Sequence, residues 1–269
     1  MLVEPKPAAS VVLVRSSAPG APEPLEVWMV RRQKTMKFLG GFYAFPGGRV
    51  DDADSSPELL ARCHGLSAEE AAALVPGHGH LAPLAFWVTA VRELLEESGL
   101  LLACDPGGRP VDAREPAVAR AIAAARRDLV ERKVGFAEVL ARADWYCDLR
   151  GLRNLSHFIT PKASPIRFSA RFFLCPVPAG QAPALFEEET SEAFWIHPGE
   201  GYRRFRAGEL PMAEPAEYGL GYLAQFLSLD ALWEAHEDRR HKFHGIVDRI
   251  EFWGGFDWKG NRWPDSRSS

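Results

Sequence analysis

Arg92-Glu93-Leu94-Leu95-Glu96-Glu97-Ser98-Gly99-Leu100 sets three carboxylates within five residues of a 269-residue chain. At about 100° per residue, Leu84, Trp87, Val88, Val91, Leu94 and Leu95 fall in one stripe, the i, i+3, i+4, i+7 spacing of a buried helix face. Glu93, Glu96 and Glu97 fall on the opposite side, and Gly99 stands where a left-handed residue ends a helix. Like charges three and four residues apart on a helix repel. A solvated acidic face tolerates that repulsion, and so does a face that holds a divalent cation. The triplet alone leaves both readings open, and Arg92 adds little, since it can pair with Glu96 one turn on.

The balance shifts upstream. Residues 25–31 alternate like a strand, Gly40-Gly41 breaks the chain, and Tyr43-Ala44-Phe45 leads into Pro46-Gly47-Gly48. Paired glycines let a backbone turn sharply and bring a carbonyl close to a ligand. Mg²⁺ and Mn²⁺ take hard oxygen ligands and bind phosphate oxygens at the same time. Together these residues resemble the box of the Nudix hydrolase family, G-x5-E-x7-R-E-U-x-E-E-x-G-U with U a bulky apolar residue. The second half matches from Arg92 to Leu100 without exception. The resemblance implies an α/β Nudix fold, a mixed β-sheet sandwiched between α-helices.

The first half departs from the pattern. The sixth residue after Gly48 is Asp54, a shorter carboxylate than the family's Glu, and Arg92 lies 44 residues after Gly48, so roughly 30 residues (about 55–84) interrupt the box. Ser67 followed by Glu70 reads as a capping box opening a short helix inside the interruption, and Pro76-Gly77-His78-Gly79-His80 as the loop returning from it. Insertion at a loop costs little in closure entropy. His64, His78 and His80 could in principle bind metal, but two histidines separated by one glycine, His78 and His80, are more often a solvated loop.

The long interruption resembles the branch of the family related to the peroxisomal coenzyme A diphosphatase. Members acting on coenzyme A carry R-S-x3-R-x3-G-x-V-x-F-P-G-G-x2-D-x2-D ahead of the glutamate helix. This chain has Arg32-Gln33, Lys37, Gly41, Tyr43, Phe45-Pro46-Gly47-Gly48, Asp51 and Asp54, with the serine, second arginine and valine replaced. Downstream, Glu189-Thr190-Ser191-Glu192-Ala193-Phe194-Trp195-Ile196 resembles E-V-x-E-x-F-W-V of the same group. The resemblance covers about residues 8–230, read as the Nudix domain, with 231–269 as an aromatic and basic extension packing on it.

By this resemblance Glu93, Glu96, Glu97 and the Gly47 carbonyl hold Mg²⁺ or Mn²⁺, Glu93 being either ligand or base. Arg92 orients the glutamates, and Glu189 or Glu192 completes the metal site or acts as base. Arg32 and Lys37 stand where basic residues meet the extra phosphate of coenzyme A; Arg167 and Arg171 share one face of an aromatic strand, and Arg171 is the further substrate-binding candidate. The implied activity is hydrolysis of a diphosphate bond, with coenzyme A or acyl-CoA giving 3′,5′-ADP and a phosphopantetheine. ADP-ribose or a dinucleoside polyphosphate is the alternative substrate, and a non-catalytic ligand-sensing module the alternative class.

Composition agrees with this reading. An apolar content of 46% supports a sizeable core, and a net charge of −4 argues against a nucleic-acid partner. Cys63, Cys104, Cys147 and Cys175 lack C-x-x-C spacing, which suits reduced thiols in the cytoplasm. The N-terminus does not read as a signal peptide, no stretch has the length of a membrane span, and the last residues differ from a peroxisomal tail. A small-molecule nucleotide substrate is the expected partner, and a homodimer is compatible with the resemblance. Strands are predicted at 10–15, 25–31, 41–45, 100–103, 155–160, 168–176 and 193–197, and helices at 116–133, 136–141 and 216–227.

Overall fold

The run Ala8-Ala9-Ser10-Val11-Val12-Leu13-Val14 has almost no polar alternation, as befits a strand buried on both faces. In the computed structural model, which describes residues 3–246 and 249–252, it lies within β1 (Lys6–Ser16). The strands that follow are β2 (Leu25–Arg32), β3 (Tyr43–Ala44), β4 (Gly47–Arg49), β5 (Cys63–His64), β6 (Ala103–Cys104), β7 (Tyr146–Asp148), β8 (Arg153–Ile159), β9 (Phe168–Pro176), β10 (Thr190–Ile196), β11 (Phe243–Ile246) and β12 (Arg249–Phe252). The helices are α1 (Pro57–Leu60), α2 (Ala68–Leu74), α3 (Ala85–Ser98), α4 (Pro116–Val130), α5 (Phe136–Arg142), α6 (Pro198–Arg206), α7 (Glu214–Leu223) and α8 (Leu229–Glu234).

The main sheet runs β10-β2-β1-β9-β8-β11-β12, with β3 beside β2 and β4 beside β1. β1 pairs parallel with β9 and antiparallel with β2 and β4, so the sheet is mixed. Strand alternation then sorts the core into two layers. Ala9, Val11, Leu13, Trp28 and Phe173 join Trp87, Val91, Leu94 and Leu95 of α3 on one face. Val12, Val14, Met29 and Leu174 join Tyr202 of α6 and Leu220 and Leu223 of α7 on the other. This is the α/β sandwich that the resemblance implies.

α3 keeps its apolar stripe, and Gly99 ends it at φ 72°. Its other side is not solvated as an acidic face would be: every residue from Ala85 to Ser98 except Glu96 is buried. The cause is the chain that leads into the interruption and the first helix within it. β4, a 3-10 turn at Asp52–Ser55 and α1 all pack against α3 and close over the glutamates.

The interruption is part of the core. Ser67 caps α2 as its spacing predicts, accepting from the Glu70 N–H at 3.1 Å while the Glu70 carboxylate accepts from the Ser67 N–H at 2.8 Å. Leu59, Leu66, Ala71, Val75 and Leu81 are buried in the same cluster as α3. β5 pairs with β7, which pairs with β6, forming a second, three-stranded sheet. The ends of the segment meet where the Ala82 N–H donates to Ser55 Oγ at 2.8 Å.

The C-terminal part enters the sheet more deeply than an overlying extension would. α8 spans the expected boundary at 230/231, Leu232 lies in the second core layer, and β11 pairs parallel with β8. The rest of the predicted extension, 253–269, lies outside the described residues. α6 and β7 escaped the pattern reading, and α7 ends at Leu223 instead of Leu227. Gly219 in α7 has a packing reason: a Cβ there would meet the Phe45 ring at 3.0 Å. Among the described residues no helix is long and apolar enough to cross a membrane.

Candidate active site

Arg92 is the hub of the site. Its Nε and Nη2 donate to Asp54 Oδ1 and Oδ2 at 2.9 Å each, Nη2 also donates to the Arg49 carbonyl at 2.9 Å, and Nη1 donates to Glu93 at 2.8 Å and Glu96 at 3.2 Å. A guanidinium has five N–H donors, and all are engaged. Burial opposes the charge on Arg92, but the Asp54 hydrogen bonds and the neighbouring glutamates outweigh it and raise its pKa. Asp54, 1% exposed, also accepts from Thr89 Oγ1 at 2.8 Å and from the Asp51 N–H at 3.0 Å. The residue standing in for the family's upstream glutamate is thus the anchor of Arg92.

The three glutamates have distinct settings. Glu93 lies against Gly48, and burial pushes its carboxyl well above the usual range against the pull of Arg92. Glu96 is the more exposed, and burial raises it less completely. Glu97 accepts the Gly47 N–H at 2.8 Å, yet burial, with Glu189 and Glu96 adding repulsion, drives it up to about 8. A Cβ on Gly48 would collide with the Glu93 carboxylate. Gly48→Ala should therefore displace Glu93 and lower kcat by roughly 10²-fold, the scale of an ångström misplacement. Near-parental thermal stability with that loss is the expected pair of results.

Glu189 and Glu192 separate in the fold. Glu189 lines a cleft of about 760 Å³ together with Glu96, Arg92 and Asp51. Glu192 instead accepts from the Tyr43 hydroxyl at 3.0 Å and faces Arg31 at 3.8 Å. Arg32 lies close enough to Glu97 to favour its charged form, while its Nε donates to the Phe38 carbonyl at 3.3 Å. Lys37 is exposed on the same β2–β3 loop. Arg167 and Arg171 do not line the cleft. Arg167 is tied to the Thr160 and Val3 carbonyls. Arg171 is buried over the Phe86 ring at 5.0 Å, its Nε without a hydrogen-bond partner, and desolvation lowers it to about 10.

The donor chemistry suits a hard cation. Asp54, Glu93 and Glu97 are buried beside a single buried guanidinium, Arg92, with Glu96 adding another carboxylate. One guanidinium cannot match four carboxyl groups, so ionising all of them in this desolvated place is costly unless a further positive group joins them. Among the described residues no three carboxylate, thiol or imidazole groups already converge on one metal position. Arg92 and Gly47 hold the glutamates in this structure. His80 pairs with Asp52 at 2.9 Å and His64 packs edge-on to Tyr146, so these two histidines of the interruption have other partners.

Thr89, the Arg49 carbonyl and Phe186 were not singled out by sequence. Thr89 left a trace, a hydroxyl one turn before Arg92 in a helix of otherwise apolar neighbours. Arg49 acts through its backbone, which no side-chain pattern records.

The mixed sheet between helical layers, with a box arginine gathering carboxylates beside a glycine pair, defines a Nudix hydrolase. A family model described as the NUDT19 Nudix domain matches residues 67–223, and the chain belongs to that family. It is 30% identical to "Acyl-coenzyme A diphosphatase NUDT19" of Gallus gallus, over 86% of this chain and 71% of that one. The protein of the same name from Homo sapiens is 28% identical, over 84% and 70%. A crystal structure of a NUDIX hydrolase from Alicyclobacillus acidocaldarius aligns with TM-score 0.70 and 32% identity, covering 87% of this chain and 97% of that one. Nudix hydrolases generally need a divalent metal.

Proposed function

We propose that this protein hydrolyses the diphosphate bond of coenzyme A or an acyl-CoA, with Mg²⁺ or Mn²⁺, to 3′,5′-ADP and the (acyl-)phosphopantetheine. The observation that carries the reading is the Arg92 hub, which keeps Glu93 and Glu96 beside Glu97 in a desolvated patch with more carboxyl groups than cations. A pure binding module has no need of carboxylates that repel one another. Similarity to relatives named acyl-coenzyme A diphosphatase supports the choice of substrate.

In this reading Glu93, Glu96, Glu97 and the Gly47 carbonyl hold the metal. A bound divalent cation supplies charge neutralisation of the diphosphate oxygens and acidifies water. Arg92 is a positioning residue. Glu189 is the proposed proton acceptor for the attacking water, supported by its place on the cleft beside Glu96. Arg32 and Lys37 contribute positive charge toward the substrate's phosphates, Arg32 supported by its nearness to Glu97. The four free thiols support a reducing compartment, and the cytoplasm is the proposed location.

The test is product analysis with coenzyme A, acetyl-CoA, ADP-ribose and a dinucleoside polyphosphate, each with Mg²⁺, Mn²⁺ or EDTA. Release of 3′,5′-ADP with either metal and none with EDTA is expected. A preference for ADP-ribose would remove the coenzyme A assignment, and no turnover of any diphosphate would remove the enzyme reading.

A further inference from the structure

The cleft has a second wall. The cleft lined by Glu96, Asp51 and Glu189 is also lined by the connection between α4 and α5, including Arg132, Lys133 and Val134. The acids of this wall are mostly paired: Glu138 and Asp128 with Arg142 at 2.7 and 3.2 Å, and Glu131 with Lys133. Among the described residues Arg132 forms no ion pair. Leu129, Phe136 and Phe186 add an apolar part to the lining of the same cleft.

Arg132 also has an unusual backbone, with φ at 55°. The Arg132 N–H donates to Leu129 and the Lys133 N–H to Asp128, both at 2.9 Å, closing the end of α4. Such a helix end favours glycine, and a side chain there carries a conformational cost. An arginine at this turn sets an unpaired guanidinium on the rim of the cleft, where the chain reverses.

We propose that Arg132 binds a second anionic group of the substrate, remote from the scissile diphosphate. The guanidinium fork suits a phosphate monoester, and the apolar part of the lining suits a base or other flat apolar body. In a coenzyme A substrate that group is the 3′-phosphate of the adenosine end; the contact that the resemblance suggested for Arg32 and Lys37, neither of which lines this cleft, passes to Arg132 and leaves those two to the diphosphate. The inference rests on the diphosphatase reading of the glutamates and deepens it: the two walls divide the substrate, one taking the bond to be cleaved and the other the phosphate that is kept.

Arg132→Gly is the discriminating variant, because it removes the guanidinium while easing the turn. Its thermal midpoint should equal or exceed the parent's. The ratio of kcat/KM for coenzyme A to that for 3′-dephospho-coenzyme A should fall about tenfold or more, mainly through KM for coenzyme A, and Arg132→Lys should restore part of it. Calorimetric binding of 3′,5′-ADP and 5′-AMP gives a readout apart from turnover: the parent should prefer 3′,5′-ADP and Arg132→Gly should lose that preference. An unchanged substrate ratio in Arg132→Gly, or equal binding of the two nucleotides by the parent, would overturn the inference. Failure of the parent to hydrolyse either coenzyme counts instead against the diphosphatase reading, a result distinct from an unchanged ratio.

Discussion

Glu97→Gln abolishes turnover, with a loss on the order of 10³-fold or more in kcat, while the folded protein becomes no less stable. The amide keeps the shape of the side chain, and its oxygen still accepts the Gly47 N–H that Glu97 accepts at 2.8 Å. What disappears is the capacity to ionise in a buried position, where Glu189 and Glu96 oppose the charge. Removing one preorganised electrostatic contact of this kind costs about 10²–10³-fold in other enzymes, and loss of a metal-binding charge costs at least as much. The stability side follows from desolvation, since the neutral amide avoids the penalty that holds Glu97 up to about 8. Steady-state kinetics and thermal melts without metal check both halves. Turnover surviving in this variant would mean that the glutamate cluster is not the reacting centre.

Asp54→Ala has the opposite signature, losing stability and activity together. The substitution strands the buried guanidinium of Arg92, which donates two hydrogen bonds to Asp54, and removes the acceptor used by Thr89 and by the Asp51 N–H. Removing one partner of a buried ion pair costs about 3–5 kcal/mol. Urea unfolding should register that loss, and the melting midpoint should drop by about 10 °C on the usual scale for a chain of this size. Activity falls as well, because Arg92 Nη1 also holds Glu93 and Glu96. A variant as stable as the parent would show Asp54 to be a passive occupant of the 3-10 turn.

The contrast between these variants marks what the chain reveals before it folds. The glutamate helix was legible because its apolar stripe, its Arg92 and its Gly99 cap are local, and local periodicity survives in sequence. Asp54 could be found by counting from Gly48, but its partnership with Arg92 joins positions on opposite sides of the interruption. The burial of Glu93 and Glu97 was not legible, because the covering layer comes from β4, the 3-10 turn and α1. For the same reason sequence left Glu189 and Glu192 equivalent, although one lines the cleft and the other pairs with Tyr43 and Arg31. Arg171 was a substrate-binding candidate sharing a strand face with Arg167, and the fold buries it against Phe86. Arg132 gave no signal, since its left-handed backbone breaks the preference that would have placed a glycine there.

The segment that interrupts the box has a consequence for descent. Leu59, Leu66, Val75 and Leu81 are buried in the layer that α3 packs into. At about 1.5–3 kcal/mol for each large apolar side chain, their loss rivals the roughly 5–15 kcal/mol that keeps a typical domain folded. Once such a segment has become core, a lineage cannot shed it in one deletion and return to the uninterrupted box. Change that the fold tolerates is then expected on the surface of the segment and not in the residues it buries.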